Sequence, residues 1–362
     1  MDCGIVGLPG VGKTSLFSAL TGLSASAAAA AGAFKAHIAI AKVPDPRLDL
    51  IASFIPTKKI VQATIQFVDI PGIAPGSGST GSGGEASRVS TFLASVREVD
   101  ALCHVVRCFE VPGTTPSPAA DIDSLDTELT LSDMVIAEAA HDRAARTART
   151  GDPDARARLA ALEAALAVLN DGRPLRSAPA WTPAQMSILK SYGMITAKPV
   201  LYVANVAEDD LSGESNAAQA VRERALSAGG RSVALCAKLE AELAELDEAD
   251  RLEMLRSMGL AEPAIGPLAR AAYSLLGLEC FYTAGEKEVR AWTVVAGATA
   301  PEAAGAIHSD IQRGFIRAEC YHVDDLVRHK NEKAIKEAGK LRSEGKGYRM
   351  QDGDVVHFLF NV

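Results

Sequence analysis

The sequence predicts an α/β fold, and three observations carry that expectation. The chain opens with a short apolar strand, a glycine-rich loop and a helix, CGIVGLPGVGKTSLFSALTG. Further apolar runs, TIQFVD and KPVLYVAN, read as buried strands set among helical stretches, the pattern of a parallel sheet with helices on its faces. A long helical stretch interrupts that alternation, and the chain closes with a unit in which strands and helices are mixed. The expected organisation is a sheet domain over residues 1–122 and 196–278, a helical insert over 123–195 and a C-terminal α+β unit over 279–362.

Size and composition suit this plan. At 362 residues the chain exceeds one ordinary domain, which runs to ~100–200 residues. Hydrophobic residues make up 48%, enough for packed cores and too many for a disordered chain. Lys and Arg total 37 against 45 Asp and Glu, a net charge of -8, which excludes an all-over basic coat but not a local basic face. The six cysteines (Cys3, Cys103, Cys108, Cys236, Cys280, Cys320) form no CxxC pair, and several sit in apolar strand-like runs, so they read as reduced, buried small hydrophobes. MDCGIVG enters a strand at once, so no signal peptide is expected. No uncharged apolar run reaches the ~20 residues that span a bilayer. A cytoplasmic protein without membrane association is expected.

The first loop defines a chemistry. Gly7 to Thr14 fits G-x-x-x-x-G-K-[ST] at every fixed position, in the strand–loop–helix context that makes the motif specific. Glycines let the backbone wrap close to phosphates with its N–H groups turned inward, and the helix N-terminus adds partial positive charge. In this cradle, formed by Gly10, Val11, Gly12, Lys13, Thr14 and Ser15, Lys13 is expected to bridge the terminal phosphates and the Thr14 hydroxyl to hold Mg²⁺. The strand in TIQFVDIPGI ends at Asp69, placed to hold a water on Mg²⁺, and Gly72 offers a backbone N–H to the terminal phosphate. The Gly/Ser-rich stretch beyond, APGSGSTGSGGEAS, reads as a switch loop, mobile without nucleotide. These are the parts of a P-loop NTPase.

The strand in LYVANVAEDD runs into Asn205, Val206, Ala207 and Glu208, where guanine-reading switches carry Asn-Lys-x-Asp. Together with GLPGVGKTSLFSAL, VPDPRL (43–48), FLASVREVDALCHVVRCFE, AKLEAELAEL, FYTAGEKEVRAWTV, IHSDIQRGFIRAE and EGKGYRMQDGDVVHFLFNV, this segment makes the chain resemble the YchF/Obg-like ATPase family of translation-factor-related P-loop NTPases. The matching stretches cover most of the chain outside two low-complexity patches. The family motif is Asn-x-x-Glu, so the resemblance implies ATP as the preferred nucleotide. Chemistry agrees: Glu208 is one methylene longer than Asp, its carboxylate misses guanine's donors, and those donors go unpaired. Asn205 is expected to meet adenine's amino edge through its amide and Val206 to wall the base. Cys236 and Ala237, with Lys238, are expected to close over it from the other side.

Four departures from the family pattern bear on catalysis. Gly10 stands where relatives carry the Asn that helps hold a monovalent cation. No Thr occurs between Thr21 and Thr57, so the switch threonine that reaches Mg²⁺ is missing; an alanine run followed by AHIAIAKV, which alternates like an edge strand, takes its place. Ile73 follows DxxG where Ras-like enzymes place a water-orienting Gln, a replacement normal for the family. EVPGTTPSPAAD lacks the His that bacterial relatives often carry. Each lost contact costs on the order of tenfold to a thousandfold in rate. Firm ATP binding with slow hydrolysis to ADP and phosphate is therefore expected, with Lys13, Gly72 and Ile73 nearest the chemistry.

The insert reads as an antiparallel helical hairpin. Leu159, Leu162, Leu166 and Leu169 form one stripe, and TGDPD (150–154) is the turn. Its tip carries Arg143, Arg146, Arg149, Arg156 and Arg158, interleaved with Asp142, Asp152 and Asp154. Such a cluster suits RNA phosphate or an acidic protein, and equally an ordinary solvated face. The closing unit ends in a turn at Asp352-Gly353 and a strand, VVHFLFNV, and resembles the TGS-like β-grasp module that closes the family's chain. Between 328 and 349 it holds eight Lys/Arg against three Glu. That local asymmetry favours RNA or the ribosome, through its large subunit, as partner. His308 and His322 read as structural. A GTPase, a sensor that binds nucleotide without turning it over, and a nucleic-acid-binding scaffold with structural nucleotide remain the rival functions.

Overall fold

The protein is described from a computed structural model that covers residues 1–22, 37–72, 83–178 and 180–361. Residues 23–36 of the first switch, Ile73 and residues 74–82 of the Gly/Ser-rich stretch lie outside the described residues, whereas the end of that stretch, read as a loop, opens the helix Gly83–Glu98. The chain forms two compact units, Met1–Ile40 with Gln66–Leu268, and Ala41–Ile65 with Ala269–Val362.

The first unit is built on a six-stranded sheet. Its strands are β1 (Asp2–Val6), β2 (His37–Lys42), β4 (Thr64–Asp69), β5 (Ala101–Arg107), β6 (Val200–Asn205) and β7 (Arg231–Leu235), while β3 (Ile60–Val61) belongs to the other unit. The order is β2-β4-β1-β5-β6-β7, and β4-β1-β5-β6-β7 run parallel. β1, β5 and β6 are buried almost throughout, which is why they read as unbroken apolar runs. β2 lies on the edge as its alternation suggests, with an inverted logic: Ala39 and Ala41 are buried while Ile38 and Ile40 face out. The glycine-rich loop and the loop that begins at Asn205 leave the C-terminal ends of β1 and β6, where open parallel sheets place their ligands.

The helical hairpin forms as expected, from Pro118–Ala148 and Pro153–Asn170. It starts at residue 118, before the expected 123, because Pro118 at the first helical position is already set to helical φ. At the tip, Gly151 adopts φ +86 and the Asp152 carboxylate accepts from the N–H groups of Asp154 and Ala155, capping the returning helix. Along the hairpin Ala137, Ala140 and Ala144 meet Leu162, Ala165 and Leu169, with Leu159 and Leu166 packed partly against them. Near its start the first helix instead inserts Ile122, Leu125 and Leu129 into the core of the sheet, beside Leu102, Val106 and Val200. Asp133, fully buried, accepts from the N–H groups of Ile195 and Thr196 and from the Thr196 hydroxyl. The five tip arginines are exposed.

The second unit is a mixed sheet of order β11-β10-β12-β8-β9-β3. Its remaining strands are β8 (Leu278–Ala284), β9 (Val289–Val295), β10 (Phe315–His322), β11 (Arg342–Glu344) and β12 (Asp354–Phe360). Residues 41–65, assigned by local pattern to the nucleotide domain, group with this unit: β3 pairs in parallel with β9, and helix Pro46–Phe54 buries Leu48 and Ile51. The VPDPRL stretch is explained here. Arg47 donates to Asp45 and to Asp352, and the Tyr282 hydroxyl donates to Asp45. Burial alone would raise the Asp45 carboxyl; the bonds from Arg47 and Tyr282 outweigh it and hold the group below the usual carboxylate range. His308 and His322 each cap a helix through Nδ1, as their structural reading requires. All six cysteines are buried and free. Among the described residues no helix is long and apolar enough to cross a membrane.

Candidate nucleotide site

The glycine-rich loop runs from β1 into helix Lys13–Thr21. Lys13 donates to the carbonyls of Gly7 and Leu8, both at 2.8 Å, so its ammonium rests folded over the loop it serves. Burial pushes its pKa down to about 8, against a smaller upward pull from Asp69 at the end of β4. Gly72 faces the same ammonium: a Cβ there would lie 2.7 Å from Lys13 Nζ and 3.1 Å from the Gly7 carbonyl. The fold thus brings together Lys13, Asp69 and Gly72 as expected. Thr14 is exposed on the first turn of the helix, and Ser15 follows it half-buried.

Oxygen ligands of this type suit Mg²⁺, which binds through one or two protein oxygens and keeps waters or phosphates for the rest. The Thr14 hydroxyl and the Asp69 carboxylate, the expected holders, are oxygen donors of this kind. Among the described residues no cluster of three or more His, Cys, Asp or Glu forms a closed metal cage.

At the base side, Asn205 is buried at 4% exposure and serves as a tie. Its amide nitrogen donates to the Val11 carbonyl at 2.8 Å, and its amide oxygen accepts from the Ala237 N–H at 2.9 Å. The glycine-rich loop and the loop at Cys236 and Ala237 are therefore sewn together by one side chain. Gly12 is required for it: the residue adopts φ +97, and a Cβ would sit 2.1 Å from the Asn205 amide nitrogen. The amide that was expected to read the purine's edge thus spends one donor and one acceptor on main chain, which leaves its second N–H and a lone pair of its oxygen for a ligand. Val206 does not wall a base. It is 1% exposed, packed in the sheet core beside Cys236 and Leu239, because the residue after a buried strand end turns inward when its N–H pairs with the Leu235 carbonyl.

Glu208 lies at the rim, half-exposed, and its carboxylate accepts from Lys238 at 2.8 Å. Lys238 also lies 3.8 Å from Glu242, and its pKa is raised, chiefly by the Glu208 hydrogen bond. Motif reading placed Glu208 and Lys238 in facing loops but not their pairing, because nothing local couples two residues 30 positions apart. A residue the motifs missed is His104 on β5, 2% exposed and packed against Tyr202 with ring centres 5.7 Å apart. Burial, then the charges of Arg176 and Lys13, push it down to about 3, so it is a neutral imidazole beneath the phosphate loop. Its one sequence signal was a polar residue inside LCHVV.

The strand order, the glycine-rich loop and the residues facing Lys13 define a P-loop nucleoside-triphosphate-binding protein. Residues 2–140 match the family model described as 50S ribosome-binding GTPase, and residues 278–361 match YchF-GTPase_C, described as a protein of unknown function. The chain is 45% identical to the ribosome-binding ATPase YchF of Haemophilus ducreyi over 99% of both chains. It is 42% identical to that of Bacillus subtilis over 100% of both. The structure of the Schizosaccharomyces pombe YchF GTPase superposes with a TM-score of 0.84 at 28% identity, covering 99% of this chain and 97% of that one. The chain belongs to the YchF family.

Proposed function

We propose that the protein is an ATP-binding switch that hydrolyses ATP slowly to ADP and phosphate and associates with the ribosome in the cytoplasm. The observation that carries the choice of base is the Glu208–Lys238 pair. The carboxylate that guanine-reading switches offer to the base is here drawn to a lysine at the rim. Guanine's ring N–H and amino group would enter without their acceptor, and an unpaired donor weakens that base relative to adenine. Asn205, Cys236 and Ala237 shape the pocket from behind, and Glu208 excludes the wrong base.

In this reading Lys13 leaves the Gly7 and Leu8 carbonyls for the terminal phosphates, and the N–H of Gly72 meets the γ-phosphate. Thr14 and Asp69 hold Mg²⁺, which when bound neutralises charge on the β- and γ-phosphates. The side chain of Ile73 offers no polar atom to a nucleophilic water, and Gly10 offers no side-chain oxygen to a monovalent cation. Turnover is therefore slow without a partner. The relatives named ribosome-binding ATPase support ribosome association, and the tip arginines and the 328–349 segment are the surfaces proposed to meet the large subunit or its RNA. Within that segment Arg342 is tied to the buried Asp354, and Arg349 donates to the Gly297 carbonyl. The proposed contacts therefore fall to the exposed Arg328, Lys330, Lys333, Lys336, Lys340 and Lys346.

The test is calorimetric affinity for ATP, ADP, GTP and GDP, on the wild type and on Glu208→Asp. Adenine nucleotides should bind more tightly, and the shorter carboxylate, released from Lys238, should gain guanine binding by about tenfold. Tighter guanine binding by the wild type would overturn the assignment.

A further inference from the structure

We propose that the turn of the hairpin helix at Ser132 and Asp133 is a hinge, and that the segment Asp69–Gly72 sets it through Arg97, so that a bound γ-phosphate changes the direction of the helical arm. The hinge rests on the reading in which Gly72 meets the γ-phosphate. The path from one to the other runs through a few packed residues. Ile70, inside the segment, is fully buried and donates its N–H to the Ile5 carbonyl at 3.3 Å. It shares a core with Phe92 and Val96 of helix Gly83–Glu98 and with Val99 just beyond that helix. Gly4 shows how tightly they meet: a Cβ there would lie 2.7 Å from Ile70 Cδ1 and 2.9 Å from Val99 Cγ2. An interior packed this densely passes a displacement on instead of absorbing it.

The far end of helix Gly83–Glu98 is held by a closed ring of polar contacts. Lys198 Nζ donates to the carbonyls of Val96 at 2.8 Å and Arg97 at 2.6 Å, and to that of Val99. These are the carbonyls that a helix end leaves without partners. Arg97 Nη2 donates to the Ser132 hydroxyl at 2.7 Å. The next residue, Asp133, is fully buried and accepts from Ile195 and Thr196, which lead back to Lys198. The ring sits where the hairpin leaves the sheet: Leu129 still belongs to the sheet core, while Ala137 belongs to the core of the hairpin. A second arrangement is built in. Arg97 Nε is buried with no hydrogen-bond partner among the described residues, although the charge of the guanidinium reaches the Asp133 carboxylate. A buried donor left unmet is costly, so Arg97 has a bond to gain on the Asp133 side when the helix end shifts. Coupling over distance needs an element with two discrete arrangements, and Ser132 and Asp133 offer Arg97 both. The arm beyond the hinge is about 25 Å long, so a rotation of about 10° moves its tip by about 4 Å.

Double electron–electron resonance on the full-length protein tests this. Nitroxides go on Thr150→Cys at the tip and Glu223→Cys on helix Asn216–Ser227, both exposed, while the native cysteines are buried. Distances are recorded with ADP, with a non-hydrolysable ATP analogue and with the two guanine counterparts, so that the choice of base does not decide the result. Calorimetry on the same samples reports occupancy. The separation should shift by about 4 Å between bound diphosphate and bound triphosphate. Arg97→Ala and the milder Ser132→Ala should each abolish the shift while both nucleotides still bind, which a merely structural role would not do. One distance for both nucleotides in the wild type, with calorimetry showing them bound, would overturn the hinge and leave the nucleotide reading standing. A shift that survives either substitution would overturn it as well. Failure of any triphosphate to bind would overturn both.

Discussion

Lys13 shows how a single residue links burial to binding. Its pKa, pushed down to about 8 by burial, belongs to a protein with no phosphate beside the ammonium. A bound polyphosphate restores the charged form, so binding above pH 8 must take up a proton that the free protein has lost. Below pH 8 the lysine is already charged and contributes no dependence. Affinity for ATP should thus be flat from this group up to about pH 8 and then fall by up to about tenfold per unit. Calorimetric titrations in buffers of different ionisation enthalpy should show proton uptake in the same window. Affinity that holds constant to pH 9.5 with no proton uptake would remove Lys13 from the phosphates. Asn205 teaches a related lesson about residues. Its place in the motif was legible, but its role as a tie between Val11 and Ala237 depends on two backbone segments that only the fold brings within reach.

At the scale of elements, the hairpin is rooted by charge as well as by packing. Asp126, on its first helix, pairs with Arg176, which follows the second, and its other carboxylate oxygen lies 3.6 Å from Arg224 on helix Asn216–Ser227. Both Asp126 and Arg176 side chains are only 8% exposed. Such a pair is poor evidence of net stabilisation, because desolvation offsets its attraction, yet removing one partner strands the other. Asp126→Ala should therefore destabilise the first unit by about 3–5 kcal/mol, read from urea midpoints at unchanged slope. A loss below about 1 kcal/mol would mean that water reaches Arg176 and the root is looser than its burial implies. The leucine stripe made the hairpin itself predictable. The root was not, since Asp126, Arg176 and Arg224 sit far apart in sequence and none interrupts a motif.

On the scale of the whole molecule, the C-terminal unit is not a C-terminal segment. It draws β3 and helix Pro46–Phe54 from the front of the chain, and Asp45 and Arg47 complete a network with Tyr282 and Asp352. A fragment of residues 279–362 would expose the edge of β9 and leave Asp352 without Arg47. That fragment should unfold at markedly lower temperature than one in which residues 41–65 are fused to 269–362, measured by circular dichroism on both. Equal melting of the two would show that the front segment adds nothing to the unit.

The sequence by itself determined the phosphate loop, the hairpin and the family, because each rests on spacing within a few turns of chain: a glycine pattern before a helix, a leucine stripe, a strand ending in Asn-x-x-Glu. Tertiary structure alone decided what Asn205 holds, that Val206 is buried, that Lys238 neutralises Glu208 and that residues 41–65 pack with the last strands. Each of these joins groups distant along the chain, and no local periodicity records a contact that closes only when the whole chain has folded.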